Sequence, residues 1–182
     1  MTDQKANFNY ILVTTATVLF TWLLHEFAHW ITSEWLGYES IMRLNSVSAV
    51  DGQEQTDWHR VFISAAGPLV TILQGLVAFI ILKFRNWNRL LYPFLFTAFY
   101  MRFLAGFMNF IKPNDEGRIS AFLQIGTFTL PLIVSALLFF MVYKISRKYQ
   151  LNWKFQFWTT LIVMLTSSIL ILSDQLIGIR IL

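Results

Sequence analysis

The sequence contains five long apolar runs, and these constrain the fold more than any other feature. Each run reaches or exceeds the roughly 20 residues that an α-helix needs to cross the hydrocarbon core of a bilayer. Only helices and closed β-barrels can cross a bilayer, and runs of this length are too long for barrel strands. The five predicted transmembrane helices cover residues 10–31, 61–84, 90–111, 119–143 and 155–178.

The composition favours the same class of protein. Hydrophobic residues make up 56% of the chain and charged residues only 13%, whereas a soluble domain carries about 25% charged residues. The net charge of +4 needs no nucleic-acid partner, because basic residues gathered in membrane loops produce it equally well. We therefore expect an all-α, multi-pass integral membrane protein in the lipid bilayer, in the plasma membrane of a bacterium, with residues 1–182 forming one domain.

The connections between the runs indicate how the helices are oriented. The basic segments KFRNWNR (83–89) and YKISRKYQLNWK (143–154) fall on the same side as the N-terminus, and this side carries more Lys and Arg than the other. The positive-inside tendency favours a cytoplasmic N-terminus. The first run lacks a small-residue cleavage site, so we expect it to be retained as a membrane helix rather than removed as a signal peptide.

The longest connection, residues 33–60, follows the first run. Its segment SIMRLNSVSAV (40–50) partly alternates polar and apolar residues and ends at Asp51-Gly52. This pattern predicts one or two short strands with a turn, a short β-like loop after the first helix. The alternative is an irregular amphipathic loop that rests on the membrane interface.

Residues 25–29 read His-Glu-Phe-Ala-His, an H-E-x-x-H sequence inside the first predicted helix. Four residues is slightly more than one helical turn, so His25 and His29 project from one face and can bind one metal ion. Glu26 lies beside them, placed to accept a proton from water. Ionisable groups in a membrane helix are costly and usually functional, so the segment predicts a zinc-dependent site. The alternative is that neighbouring hydroxyl groups satisfy both histidines within a helix bundle.

Two imidazoles leave a catalytic zinc ion one protein ligand short. The third ligand should come from the side of the membrane at which the first helix ends. Asp115 meets this condition directly after the third run, and its neighbour Glu116 is an alternative. Asp174 near the end of the fifth run lies at a similar depth, whereas Asp57 and His59 reach the site only by folding inward. Asp115 can also be a turn or capping residue before the fourth helix.

Three segments together resemble the site-2 protease family of intramembrane zinc metalloproteases. They are the H-E-x-x-H helix, AAGPL (65–69) in the second run and NFIKPNDEG (109–117) after the third. The family pairs a membrane-embedded H-E-x-x-H with a distant aspartate in an Asn…Pro…Asp-Gly segment. The resemblance covers about residues 10–120 in the family's order. The chain departs from the pattern at Glu116, which stands between the aspartate and the glycine.

The resemblance implies a role for each residue of the predicted site. It implies that zinc is held by His25, His29 and Asp115. It also implies that Glu26 is the catalytic acid/base and that Asn109 contacts the substrate backbone or the developing oxyanion. The catalytic core is then a three-helix unit over residues 10–118, followed by two additional helices over 119–182. Family members commonly face the metal toward the cytosol, opposite to the orientation that the basic loops favour, and both orientations stay open.

The predicted function is an intramembrane endopeptidase that hydrolyses peptide bonds within transmembrane segments of membrane-protein substrates. The alternative is a non-catalytic membrane protein, either an inactive scaffold that binds client helices or a metal transporter. A transporter needs ligands distributed along a pathway, whereas these residues collect near one surface, and a scaffold does not need Glu26. Arg102, inside the third run, is expected to form a structural ion pair, and Asp174 is one candidate partner.

Overall fold

A computed structural model describes residues 3–50, 53–178 and 180–182. Its elements in chain order are α1 (Phe8–Trp35), β1 (Ser40–Met42), β2 (Val47–Ala49), α2 (Asp57–Phe84), α3 (Tyr92–Met108), α4 (Asp115–Phe122), α5 (Thr129–Tyr149) and α6 (Trp153–Ile177). Four helices begin at a side chain whose oxygen accepts a hydrogen bond from a main-chain N–H of the first turn, which stabilises the helix start. These capping residues are Asn7, Thr56, Asn114 and Asn152.

Four of the helices, α1, α2, α5 and α6, are long and apolar enough to cross a membrane. Helix α3 has 17 residues, a length of about 25 Å, against a hydrocarbon core of about 30 Å. The four long apolar helices are therefore compatible with the predicted mostly helical, multi-pass architecture. The predicted number of five transmembrane helices depends on the shorter α3.

The predicted fourth transmembrane helix, residues 119–143, is wrong as a single helix. Its first residues belong to α4, which ends at Phe122, and α5 begins only at Thr129. Between the two helices, Gln124 and Gly126 have φ angles of 57° and 88°, a left-handed backbone that ends a helix. The apolar pattern did not reveal this break because apolar residues surround the turn.

The bundle is apolar on its outer surface and partly polar inside, the reverse of a soluble protein. On α1, Leu12, Phe20 and Phe27 are exposed. The buried face of α1 carries polar side chains at helical spacing, among them Thr14, Thr17, Thr21, His25 and His29. Gln74 of α2 reaches this face, where its Nε2 donates a hydrogen bond of 2.9 Å to Thr21. Interior polar contacts of this kind join helices that face lipid.

The connections gather at two ends of the bundle. At the end that holds the N-terminus, Trp87 Nε1 donates to the main-chain oxygen of Asp3 at 2.7 Å, and the Asn152 N–H donates to Gln4 Oε1 at 2.7 Å. These contacts confirm that the two basic connections lie on the same side as the N-terminus.

The β-hairpin lies at the opposite end, where α1 finishes. Strands β1 and β2 pair in antiparallel fashion with Ile41 opposite Ser48, which confirms the predicted strands. The hairpin turn is formed by residues 43–46, whereas Asp51-Gly52, where the predicted segment ends, lies outside the described residues. On the other edge of β1, the Met42 N–H donates to the main-chain oxygen of Leu182 at 3.0 Å.

The hairpin turn is fixed to the helices by two polar side chains. Oδ1 of Asp174 in α6 accepts a hydrogen bond from the Leu44 N–H at 3.1 Å. Trp22 of α1 donates from Nε1 to Asn45 Oδ1 at 2.7 Å. The buried Asp174 therefore holds the hairpin and is not the ion-pair partner of Arg102.

Candidate metal centre

The H-E-x-x-H segment lies in the half of α1 that is nearer the hairpin. His29 precedes the last residue of α1 by six positions, about 9 Å along the helix. Helix α1 packs against α2 and α3, while α4 packs against α2 and α5. This arrangement brings the first turn of α4 to the buried face of α1, on the side of the bundle from which the third ligand was predicted to come.

Three buried side chains converge there: His25, His29 and Asp115. The two Nε2 atoms are 3.1 Å apart. Oδ2 of Asp115 lies 3.2 Å from Nε2 of His25 and 3.5 Å from Nε2 of His29. Donor atoms bound about 2.0–2.2 Å from a tetrahedral zinc ion are about 3.3–3.5 Å apart. The three atoms are therefore spaced to hold one metal ion.

The hydrogen bonds on the far side of each ring determine where the imidazole protons are. Nδ1 of His29 lies 2.5 Å from the main-chain oxygen of Ile63, which can only accept, so Nδ1 carries the proton. Nδ1 of His25 lies 3.0 Å from Thr71 Oγ1. That hydroxyl donates its own proton to the main-chain oxygen of Gly67 at 3.0 Å, so His25 must donate to it.

In the neutral histidines both Nε2 atoms consequently carry lone pairs, and both lone pairs face a carboxylate oxygen. Three electron-pair donors this close together repel one another, and a cation held between all three would relieve this repulsion. A main-chain carbonyl behind the distal nitrogen, as at His29, is also a usual second contact of metal-binding histidines. The residues present therefore fit a divalent cation.

Arg118 determines which carboxylate oxygen of Asp115 faces the histidines. Nη2 of Arg118 lies 2.6 Å from Oδ1 of Asp115, and Nε of Arg118 donates to Ser64 Oγ in α2 at 3.3 Å. Because Oδ1 is engaged by the guanidinium group, Oδ2 is left for the imidazoles. Arg118 is three residues after Asp115 on the same face of α4, and its side chain is 52% exposed.

Asn109 organises the loop that delivers Asp115. Its Nδ2 donates to the main-chain oxygens of Ala105 and Gly106 at 3.0 and 3.2 Å, and its Oδ1 accepts from the Asn114 N–H at 2.7 Å. A side chain at Gly117 would place a Cβ 2.8 Å from Cγ of Asn109, so this close packing requires glycine. The predicted contact of Asn109 with substrate stays a prediction, and its amide donors are engaged by the main chain in this structure.

Gly67 of α2 packs directly against the two imidazoles. A Cβ atom built there would lie 2.5 Å from His25 Cε1 and 2.7 Å from His25 Nδ1, and it would also overlap Nε2 of His29. Contacts under 3.0 Å are essentially never found for real Cβ atoms. The glycine of AAGPL therefore provides the space in which the histidines meet Asp115. Pro68 lies inside α2 rather than at its start.

A buried arginine adjoins the cluster. Nη1 of Arg102 lies 3.1 Å from Glu116 Oε1 and 3.5 Å from Asp115 Oδ2, and Nη2 lies 3.5 Å from His25 Nε2. The predicted ion pair of Arg102 is present, with the two acids of α4 as its partners. Glu116 does not belong to the group of ligand atoms that lie within 4.8 Å of one another.

Glu26 is buried and lies beside the cluster. Its carboxyl group interacts electrostatically with His29 and Asp115. Among the described residues, no group forms a hydrogen bond with this buried carboxyl. An unpartnered acid beside a possible metal site has the features of a general acid/base.

The other candidate ligands lie elsewhere in the described part of the chain. Asp174 binds the hairpin turn, Asp57 lies 3.8 Å from Arg60 on the surface, and Nδ1 of His59 is 2.7 Å from the Tyr38 hydroxyl. The structure thus brings Asp115, rather than any of these, to the two histidines.

The groups that orient the ligands could not be identified as such from the sequence alone. The Ile63 carbonyl has no sequence signature, since any residue supplies one. Thr71 and Arg118 become meaningful only when α2 and α4 have been placed beside α1. The i, i+3 spacing of Asp115 and Arg118 was the one available signal.

Comparison of the chain with protein-family models, with curated proteins and with solved structures finds no match.

Proposed function

We propose that the protein is an intramembrane zinc metalloprotease that hydrolyses peptide bonds within transmembrane segments of other membrane proteins. The observation that carries this proposal is the convergence of two imidazole lone pairs and one carboxylate oxygen beside the unpartnered, buried Glu26. The outer surface around this site is apolar, so a substrate held in the bilayer is the class that reaches it. In this proposal α3 is a fifth transmembrane helix.

The ligands His25, His29 and Asp115 would hold the metal. When bound there, zinc would lower the pKa of the attacking water and would favour negative charge on the carbonyl oxygen under attack. Glu26 accepts the proton that the attacking water loses and later gives it to the leaving amine nitrogen as the C–N bond breaks. The carboxyl of Glu26 suits both steps, because no hydrogen bond to another described residue has to be broken first.

The surrounding residues hold the reacting groups in place. Thr71 and Ile63 orient the imidazoles, Arg118 turns Oδ2 of Asp115 inward, and Gly67 leaves the rings room to approach. Catalytic geometry has to be maintained within about 0.5 Å. The loop that Asn109 fixes between α3 and α4 serves this purpose, since it determines where Asp115 begins its helix.

The proposal is tested by comparing wild type with Glu26→Gln. Each protein is reconstituted in lipid vesicles with a panel of tagged single-span membrane proteins, and cleavage products are identified by mass spectrometry. Glu26→Gln should retain the metal and lose at least about 100-fold in cleavage rate, the usual contribution of a general acid/base. Glu39→Gln, an exposed acid at the same end of the bundle, is the control and should cleave normally.

Cleavage by Glu26→Gln at the wild-type rate would overturn the catalytic role. Binding of the tagged proteins without cleavage by either protein would favour the inactive scaffold. Transport of zinc across the vesicle membrane that does not depend on Glu26 would favour the transporter.

A further inference from the structure

Two buried acids stand side by side in the first turn of α4, and only one of them faces the histidines. We propose that Arg102 is a positioning residue that holds Glu116 away from the metal centre and thereby keeps one coordination position open for the reaction. This inference rests on the proposed metal centre, but it concerns the number of protein ligands and can be measured without any substrate.

A single guanidinium group contacts both acids. Nη1 of Arg102 contacts Oε1 of Glu116 at 3.1 Å and Oδ2 of Asp115 at 3.5 Å. Arg102 and Glu116 are 2% and 3% exposed, so water does not reach either group to replace the ion pair. Arg102 is the one partner that the described residues offer to the carboxyl of Glu116, and Oε2 of Glu116 is buried with no hydrogen bond.

An unsatisfied buried carboxylate oxygen next to a divalent cation is a ready ligand. Metal sites with four protein ligands are structural, whereas catalytic zinc sites have three protein ligands and an open position. Glutamate has three side-chain torsions with several staggered states, so a small rotation can redirect its carboxyl group. Without a competing positive charge, Glu116 would become a fourth ligand and close the site.

Arginine is well suited to hold the Glu116 carboxylate in place. Its guanidinium group cannot be deprotonated in proteins and presents several N–H donors in a fixed plane. In the structure the group contacts Glu116 through Nη1 and approaches His25 Nε2 with Nη2 at 3.5 Å. The same positive charge opposes the metal ion, so Arg102 also limits how tightly the centre binds its metal.

The test uses full-length protein in detergent, loaded with Co²⁺, whose visible absorption reports the number and kind of its ligands. Azide is added as an anion that occupies an open coordination position. Wild type should show a spectral change with azide. Arg102→Met should show none, and its Co²⁺ affinity, measured by competition with a chelator, should rise by at least about tenfold. The double variant Arg102→Met/Glu116→Gln replaces both charged side chains with uncharged ones of similar size. It should regain the azide response, because no carboxylate at position 116 can then occupy the open coordination position.

Each outcome separates this inference from the proposed metal centre. An Arg102→Met protein that responds to azide like wild type, with unchanged affinity, would show that Arg102 is only structural while the metal centre stands. An azide-insensitive double variant would show that Glu116 does not close the site. A wild type that binds no Co²⁺ would overturn the inference and the metal centre together.

A second variant covers the case in which Arg102→Met does not fold. Arg102→Gln keeps N–H donors near Glu116 but removes the charge. The same loss of azide response and gain in affinity are expected, because a neutral amide cannot compete with a divalent cation for a carboxylate. Retention of the wild-type response in Arg102→Gln would contradict the proposal equally.

Discussion

Replacing Gly67 with alanine should damage the metal centre without unfolding the protein. The new Cβ would lie 2.5 Å from His25 Cε1, whereas ordinary contacts begin at 3.4 Å. The imidazole of His25, or the α2 backbone, therefore has to move by almost 1 Å. This exceeds the roughly 0.5 Å within which functional groups must be held. Disturbing the support of a metal ligand typically lowers metal affinity by about 10- to 100-fold, and we expect a loss in this range.

The effect of Gly67→Ala on the free energy of unfolding should be much smaller. Overpacking of a buried site costs about 1–3 kcal/mol. Alanine inside a helix is favoured over glycine by about 1 kcal/mol, which offsets part of that cost. The net destabilisation is therefore between about 0 and 2 kcal/mol. The predicted signature is a large loss in metal affinity combined with a small change in thermal stability.

The assay is competition between the protein and a zinc-binding dye, run beside thermal unfolding in the same detergent. Gly106→Ala in α3 is the matched control, because its Cβ would meet Pro131 Cβ at 3.4 Å, an ordinary contact. This control should bind zinc like wild type. Wild-type affinity in Gly67→Ala would refute the reasoning that this glycine makes room for the two histidines.

Two further changes test the groups around the site. Thr71→Val removes the acceptor of the His25 Nδ1–H, so zinc affinity should fall by about tenfold or more. The control is Thr97→Val, because the Thr97 hydroxyl is buried without a hydrogen bond. This variant should bind zinc like wild type and be at least as stable as wild type. Equal zinc affinities in the two valine variants would contradict the role of Thr71. Asp174→Ala should keep its full zinc content, but its free energy of unfolding should fall by about 1–3 kcal/mol. Hydrogen exchange at the Leu44 N–H should become faster. Loss of zinc in Asp174→Ala would contradict its placement at the hairpin.

The extent to which the fold could be predicted depended on the range of the interactions. Hydrophobic run length is a local property, and it located α1, α2 and α6 closely. The order of the helices determined which connections lie at the same end of the bundle, and it placed the basic connections with the N-terminus. The break between α4 and α5 was missed, because Gln124 and Gly126 depart from helical geometry inside an apolar run. The strands of the hairpin were predicted from alternation, but their attachment to Asp174 is a long-range contact with no local pattern.

In the candidate site, too, local patterns could be predicted and long-range contacts could not. His25 and His29 could be paired because four residues nearly complete one helical turn, and Asp115 could be proposed because it follows a run that ends on the same side of the membrane. Arg102 was recognised as half of an ion pair, but its partners were not identified. Glu116 appeared only as a rival ligand. Its contact with Arg102 depends on the packing of α3 against α4, which no spacing in the sequence specifies.

The central claim is that one metal ion is held between α1 and the first turn of α4. Its most direct test is the zinc content per chain of purified wild type, Asp115→Ala and Asp174→Ala, measured by mass spectrometry after equilibration with zinc and removal of loosely bound ions. We predict one zinc per chain in wild type and Asp174→Ala, and almost none in Asp115→Ala. Wild type without zinc, or Asp115→Ala with a full equivalent, would contradict the claim.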